Sequence, residues 1–298
     1  MRHQKNTSEI PVLFDCQGKQ LIGMIHKADP AATLGVLVVV GGPQYRIGSH
    51  RQFILLTRHL AEQGIPAMRF DVRGMGDSED QPRRFDQIDD DIRAAIDCFL
   101  ASCPSVQQVV LWGLCDGASA ALFYAYQDSR VKGLVLLNPW VFTEQGAAKT
   151  YLKHYYLQRF FSKDFWVKVF SLKLNVAHSL VSLLSLLKQA TGKIETQQTN
   201  TFAKVDENLA LPIRMRKCLR QFPHAVLLIL SGRDLTADEF KETVKGDPEW
   251  QLLLDQSRIT RRDFAEADHT FSSGVWRGQV VEWTSNWVKT LRNVHKIN

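Results

Sequence analysis

Val109-Val110-Leu111-Trp112-Gly113-Leu114-Cys115-Asp116-Gly117-Ala118-Ser119-Ala120 passes from an apolar, strand-like run into a train of small residues suited to a helix. Between the two lies Gly113-x-Cys115-x-Gly117. A turn tight enough to join a strand directly to a helix brings the residues two before and two after its apex against neighbouring backbone. Both must therefore be small, and Gly113 and Gly117 are. The apex side chain then stands above the carboxyl ends of the strands, where open α/β sheets bind their ligands. The Asp116 N–H faces the same place, at the start of a helix whose dipole favours an anion. Cys115 is thus a candidate nucleophile; on its own it would also read as a small buried hydrophobe.

Outward from this turn, strand-like and helix-like segments alternate. Leu21–Ile25, Val36–Val40, Ala67–Val72, Val109–Leu114 and Val131–Leu137 read as strands, and the last ends at Asn138-Pro139. Helical spacing runs from His50 to Gln63, Phe85 to Leu100 and Ala118 to Gln127. From about Val141 to Arg220 the alternation stops, and the segment reads as helical, rich in Tyr, Phe and Trp. It resumes with a strand at Ala225–Leu230, a helix near Ala237–Val244, a strand around Ile259–Phe264 and a last helix from about Val275 to Leu291. The expectation is an α/β fold with a mostly parallel central sheet flanked by helices. Residues 1–140 and 221–298 form its core, and 141–220 form a helical lid insertion.

Two further positions complete a chemistry. Asp234, in Ser231-Gly232-Arg233-Asp234, follows the next core strand, and His269, in Ala267-Asp268-His269, follows the last one. The order nucleophile, acid, base is that of a Cys–His–Asp triad on an α/β sheet. Asp234 reads equally as a helix N-cap, Asp238 and Glu239 are alternative acids, and His50 is the rival base. The oxyanion of an acyl-transfer intermediate needs a second N–H besides that of Asp116, from the loop after Gly41-Gly42. Pro43 has no N–H, which leaves Gln44 by elimination. Arg46 and Arg51 read as solvated loop residues or as contacts for an acidic substrate group.

With these residues assembled, the chain resembles the α/β-hydrolase superfamily, in its serine aminopeptidase-like branch. More closely it resembles the exosortase A system-associated hydrolases of type 1. Gly41 to Phe53, Arg69 to Ser78, Trp112 to Gly117 and Leu136 to Trp140 carry that likeness. It implies an α/β-hydrolase fold and a bacterial protein associated with exopolysaccharide and protein-sorting genes. It also implies a structural role for the turn Asp71-Val72-Arg73-Gly74-Met75-Gly76-Asp77-Ser78. The departure is cysteine where that superfamily usually has serine, so an amide-cleaving role is not carried over. Dienelactone hydrolases and polyhydroxyalkanoate synthases carry cysteine in the same box.

Composition sets the remaining expectations. The 298 residues are 45% hydrophobic and 23% charged, ordinary for a globular enzyme. The amino-terminal MRHQKNTSEI lacks the apolar run of a secretory signal and no stretch is long enough to span a bilayer, so a cytoplasmic protein is expected. Five scattered cysteines, without metal-ligand spacing, predict reduced thiols with no metal and no cofactor. Between 149 and 220 stand 13 Lys or Arg against 4 Asp or Glu, while the whole chain carries only +6. The basic character belongs to the insertion, which argues against a nucleic-acid binder. The bland reading of that insertion is a packed lid with a solvated basic face. An added expectation is peripheral contact with an anionic membrane surface, such as the inner membrane, against which failure to co-sediment with anionic vesicles at low salt would count. The expected activity is ester or thioester cleavage of a small-molecule acyl substrate through an acyl-Cys115 intermediate. Acyltransferase chemistry through the same intermediate is the alternative, and a non-catalytic binding protein retaining the fold is the reading from another class.

Overall fold

A computed structural model of the protein describes residues 8–42, 44–142 and 205–294. Among these, eight strands form one sheet in the order β1-β2-β4-β3-β5-β6-β7-β8. They are β1 (Glu9–Cys16), β2 (Lys19–His26), β3 (Leu34–Val39), β4 (Ala67–Phe70), β5 (Gln108–Leu114), β6 (Val131–Leu137), β7 (Ala225–Arg233) and β8 (Ile259–Asp268). β1, β2 and β4 pair antiparallel; from β4 through β3 to β8 every pairing is parallel.

Helices cover both faces. α1 (Gln52–Glu62) and α7 (Gly274–Val294) lie on one side, with Val36, Val38, Val110 and Trp112 facing them. α2 (Asp89–Ser102), α3 (Asp116–Ala125), α4 (Leu211–Gln221), α5 (Leu235–Lys245) and α6 (Pro248–Leu254) belong to the other side, against Leu37, Val39, Leu111 and Leu134. Alternate residues of β3 thus serve two cores, and all six are buried. This double coverage is why the parallel strands read as unbroken apolar runs.

The departures from the sequence reading are local. β1 and α6 were not expected. β1 alternates between exposed and half-buried positions and contains Pro11, which suits an outermost strand and weakens the strand signal. At the other flank, β8 exposes Arg261, Arg262, Asp263 and Glu266. The helix expected from Phe85 divides into a 3-10 turn, Phe85–Gln87, and α2, whose first turn holds Asp89, Asp90 and Asp91 at the positive end of the helix dipole. Of the expected lid, residues 143–204 lie outside the described residues. α4, at its carboxyl end, buries Met215, Cys218 and Leu219 in the core. Among the described residues no helix is long and apolar enough to cross a membrane.

Beneath the loop that follows β3 sits a buried polar pair. Arg69 Nε donates to His26 Nε2 at 3.1 Å, and Thr57 Oγ1 lies 3.0 Å from the same nitrogen. Burial, then the Arg69 charge, depresses the His26 pKa to about 4. A folded pKa below the unfolded value means that, below pH ~6.5, the unfolded chain binds a proton the folded chain refuses. Stability is therefore expected to fall as pH drops from ~6.5 towards 4, by up to about 3 kcal/mol from this group. Urea unfolding of wild type and His26→Gln across that range checks it: the slope should flatten in the variant, and an unchanged slope would refute the assignment.

Candidate active site

Cys115 is the single residue between the end of β5 and the start of α3, held at φ 60°, ψ −126°. A β-carbon in this left-handed region stores of order 1–3 kcal/mol of strain, which the surroundings must enforce. They do so by close packing. A β-carbon on Gly113 would stand 2.4 Å from the Gly117 carbonyl oxygen, and one on Gly117 would stand 2.6 Å from that of Val39. Both contacts are with backbone, so no side chain fits. The Cys115 N–H donates to Leu137 O at 2.9 Å, and its carbonyl accepts from Trp140 N–H at 3.2 Å.

The other two members arrive from β7 and β8. Asp234 is the N-cap of α5: its oxygens accept the Thr236 N–H at 3.0 Å and the Ala237 N–H at 3.1 Å. Its Oδ2 also lies 2.8 Å from His269 Nδ1. The two readings of Asp234 are thus one arrangement, because the helix cap fixes the carboxylate that orients the imidazole. Asp238 instead pairs with Lys241 at 3.2 Å. Nδ1 is committed to Asp234, and the ring shares its cleft with the Cys115 side chain. The hydrogen bond to Asp234, then the nearness of Cys115, push the His269 pKa up to about 10 against the opposing effect of burial.

Cys115, Asp116, His269 and Gln44 share a cleft of about 390 Å³, with Phe85, Leu114 and Trp140 among its apolar walls. The cleft opens beside β3 and β5, where the strand order reverses. Asp116 does more than offer its amide. Its carboxylate accepts the Gly117 N–H at 3.0 Å and lies close against the Gly41 and Gly42 backbone, setting the loop after β3 against the elbow. Burial raises its pKa, while the surrounding backbone amides and the nearby His269 pull it down. Among the described residues, the Gln44 backbone N–H donates to no backbone carbonyl of its own loop.

Other expected candidates are elsewhere. His50 and Arg51 are exposed, in consecutive left-handed conformations ahead of α1. Arg46 is not a solvated residue: it is salt-bridged to Asp71 and to Asp77, the latter at 2.7 Å, and its N–H donates to Asp71 at 2.5 Å. It joins the loop after β3 to the turn at Asp71, where Arg73 is buried against Asp91. A residue that the sequence marked only as a strand end also enters the site. Asn138, buried at φ 42°, donates from Nδ2 to His269 O at 3.0 Å and accepts the Ser231 N–H at 2.8 Å. Its one local signal was an Asn before Pro139, a pairing that favours a turn. Among the described residues no group of three His, Cys, Asp or Glu could hold a metal ion.

Comparison with known proteins agrees with this fold. A family model for the alpha/beta hydrolase fold matches residues 36–197. Polyketide transferase claH of Penicillium crustosum is 33% identical over 130 residues, 42% of this chain and 42% of its own. Acyltransferase drtE of Aspergillus calidoustus is 31% identical over 88 residues, 28% of this chain and 29% of its own. The matches span less than half the length of these curated relatives. Among solved structures, an esterase of Pyrococcus furiosus superposes with a TM-score of 0.62 at 15% identity, over 96% of this chain and 91% of that one. A dienelactone hydrolase of Anabaena variabilis gives 0.59 at 14% identity, over 95% and 98%. These structural likenesses show a shared fold.

Proposed function

Since the chain belongs to the alpha/beta hydrolase fold family, we propose that it cleaves an ester or thioester through an acyl-Cys115 intermediate. The observation that carries this reading is the His269–Asp234 hydrogen bond, with His269 and Cys115 lining one cleft whose walls are largely apolar.

The steps follow from which atoms are free. His269 takes the Cys115 proton on Nε2, since Nδ1 is engaged by Asp234. The sulfur attacks the acyl carbon, and the backbone N–H groups of Asp116 and Gln44 receive the charge on the carbonyl oxygen. As the tetrahedral species collapses, the bond to the leaving group breaks and His269 returns the proton to it. Water, deprotonated by His269, then attacks the thioester carbon; the C–S bond breaks and the thiol is restored. Phe85, Leu114 and Trp140 give the acyl chain its apolar lining.

Transfer to an acceptor other than water is the second reading. It is favoured by the two curated relatives, both named as transferases, and a thioester is activated enough to serve it. The association with exosortase A systems, a bacterial cytoplasm and an acyl-site lid over 141–220 with membrane contact belong to the same proposal. Their support is the sequence likeness and the charge surplus of that segment.

Intact-mass spectrometry after brief exposure to p-nitrophenyl esters and acyl-CoAs tests the chemistry. One acyl increment that maps to Cys115 is expected. Rapid decay of the adduct in buffer identifies a hydrolase, and a lasting adduct discharged by an added nucleophile identifies a transferase. Product release with no adduct on Cys115 under any donor would refute the covalent route.

A further inference from the structure

We propose that Asn138 is the positioning residue that holds the acid loop and the base loop in register with the nucleophile elbow. The inference rests on the acyl-cysteine reading above. Asn138 follows β6, the strand between β5, which carries the nucleophile, and β7, which carries the acid. Its carboxamide oxygen accepts the Ser231 N–H at 2.8 Å, three residues before Asp234. Its carboxamide nitrogen donates to the carbonyl of His269 itself at 3.0 Å, and its own N–H donates to Ile229 O at 3.1 Å. On either side of it in sequence, Leu137 O accepts the Cys115 N–H and the Trp140 N–H donates to Cys115 O. Asn138 and its neighbours therefore grip all three loops of the triad.

The sheet cannot do this alone. Ser231 pairs with Phe264 and Arg233 with Asp268, so β8 advances four residues while β7 advances two. The β7–β8 ladder slips where Asp234 and His269 leave it, and at that level a side chain supplies the missing cross-link. The residue type is narrowly specified. One donor and one acceptor must lie on one rigid group, since a flipped carboxamide would set its NH₂ against the Ser231 N–H. Aspartate supplies no donor. The backbone is left-handed at φ 42°, which Asn tolerates better than most other L-residues.

The test compares wild type, Asn138→Gly and Asn138→Asp. Glycine keeps the backbone conformation and removes both side-chain bonds; aspartate keeps the acceptor and loses the donor. The readouts are kcat and KM with the best acyl donor, the pH dependence of Cys115 alkylation by iodoacetamide mapped by peptide mass, and Tm. Expected in the folded variants is a kcat loss of about 10–100-fold with KM little changed, because misplacement of a reacting group by an ångström has effects of that size. The alkylation profile should move towards that of His269→Ala. A lower Tm with kcat and profile at wild-type values would overturn the proposal, and so would failure of both variants to fold, which would assign Asn138 to sheet stability alone. Failure of the acyl-cysteine reading shows separately, as a wild-type Cys115 that alkylates no faster than Cys98 and takes no acyl group, and it removes the inference with it.

Discussion

Cys115→Ala is expected to accept no acyl group from any donor and to lose about 10⁴–10⁶-fold in turnover, the scale seen when a covalent nucleophile is removed. The substitution is clean because alanine and cysteine both place a β-carbon on the left-handed backbone, so the strain at φ 60° is unchanged. The hydrogen bonds that hold the elbow are made by the Cys115 backbone and survive. Tm should therefore stay within a few degrees of wild type while the activity disappears. Cys115→Ser, with a hydroxyl harder to deprotonate than a thiol, is expected between the two. Turnover in Cys115→Ala equal to wild type would sink the mechanism.

Asp234→Asn is expected to lower kcat by about 10²–10⁴-fold, up to the size of the loss when the orienting carboxylate of a triad becomes an amide. Asparagine caps helices as well as aspartate does: its one oxygen still accepts from one of the Thr236 and Ala237 amides, so α5 keeps a cap. What is lost is the carboxylate whose hydrogen bond to His269 Nδ1 is the largest cause of its raised pKa, and whose charge adds to it. An NMR titration should find that pKa moved down from about 10 towards the ordinary imidazole value. The stability link has a definite sign as well. A raised folded pKa stabilises fully below pH ~6.5, and that contribution is lost as pH rises towards 10. The wild-type advantage over Asp234→Asn should therefore shrink on the alkaline side. A kcat within threefold of wild type would mean that another carboxylate serves, and Asp238 and Glu239 would be tested next.

Much of this architecture was legible in the chain itself. The parallel strands are buried on both faces and so appear as runs of Val, Ile and Leu, and the elbow announces itself because backbone contacts at Gly113 and Gly117 exclude any side chain. Cys115, Asp234 and His269 were expected to meet from their places after strands; the structure hydrogen-bonds Asp234 to His269 and sets His269 and Cys115 in one cleft. The supporting contacts were not legible, for a common reason. Asn138 reaches His269 across 131 positions and Ser231 across 93; Arg46 reaches Asp71 across 25. No local periodicity encodes such a partner. Asp116 was read for its amide because position fixes a backbone group, whereas the packing of its carboxylate against the Gly41 and Gly42 backbone depends on the tertiary course of another loop. β1 was missed for a local reason, its exposed Glu9, Pro11 and Asp15 diluting the apolar alternation.

The two outermost strands bear on how this protein behaves when crowded. A bare edge of unpaired amides and carbonyls recruits the edge of another molecule and seeds aggregates. Here a copy approaching β8 would have to desolvate Arg261, Arg262, Asp263 and Glu266, and one approaching β1 meets Pro11, which offers no amide, between Glu9 and Asp15. Both flanks thus discourage continuation of the sheet from one molecule into the next, so a concentrated sample should not grow ordered β-aggregates from its native edges.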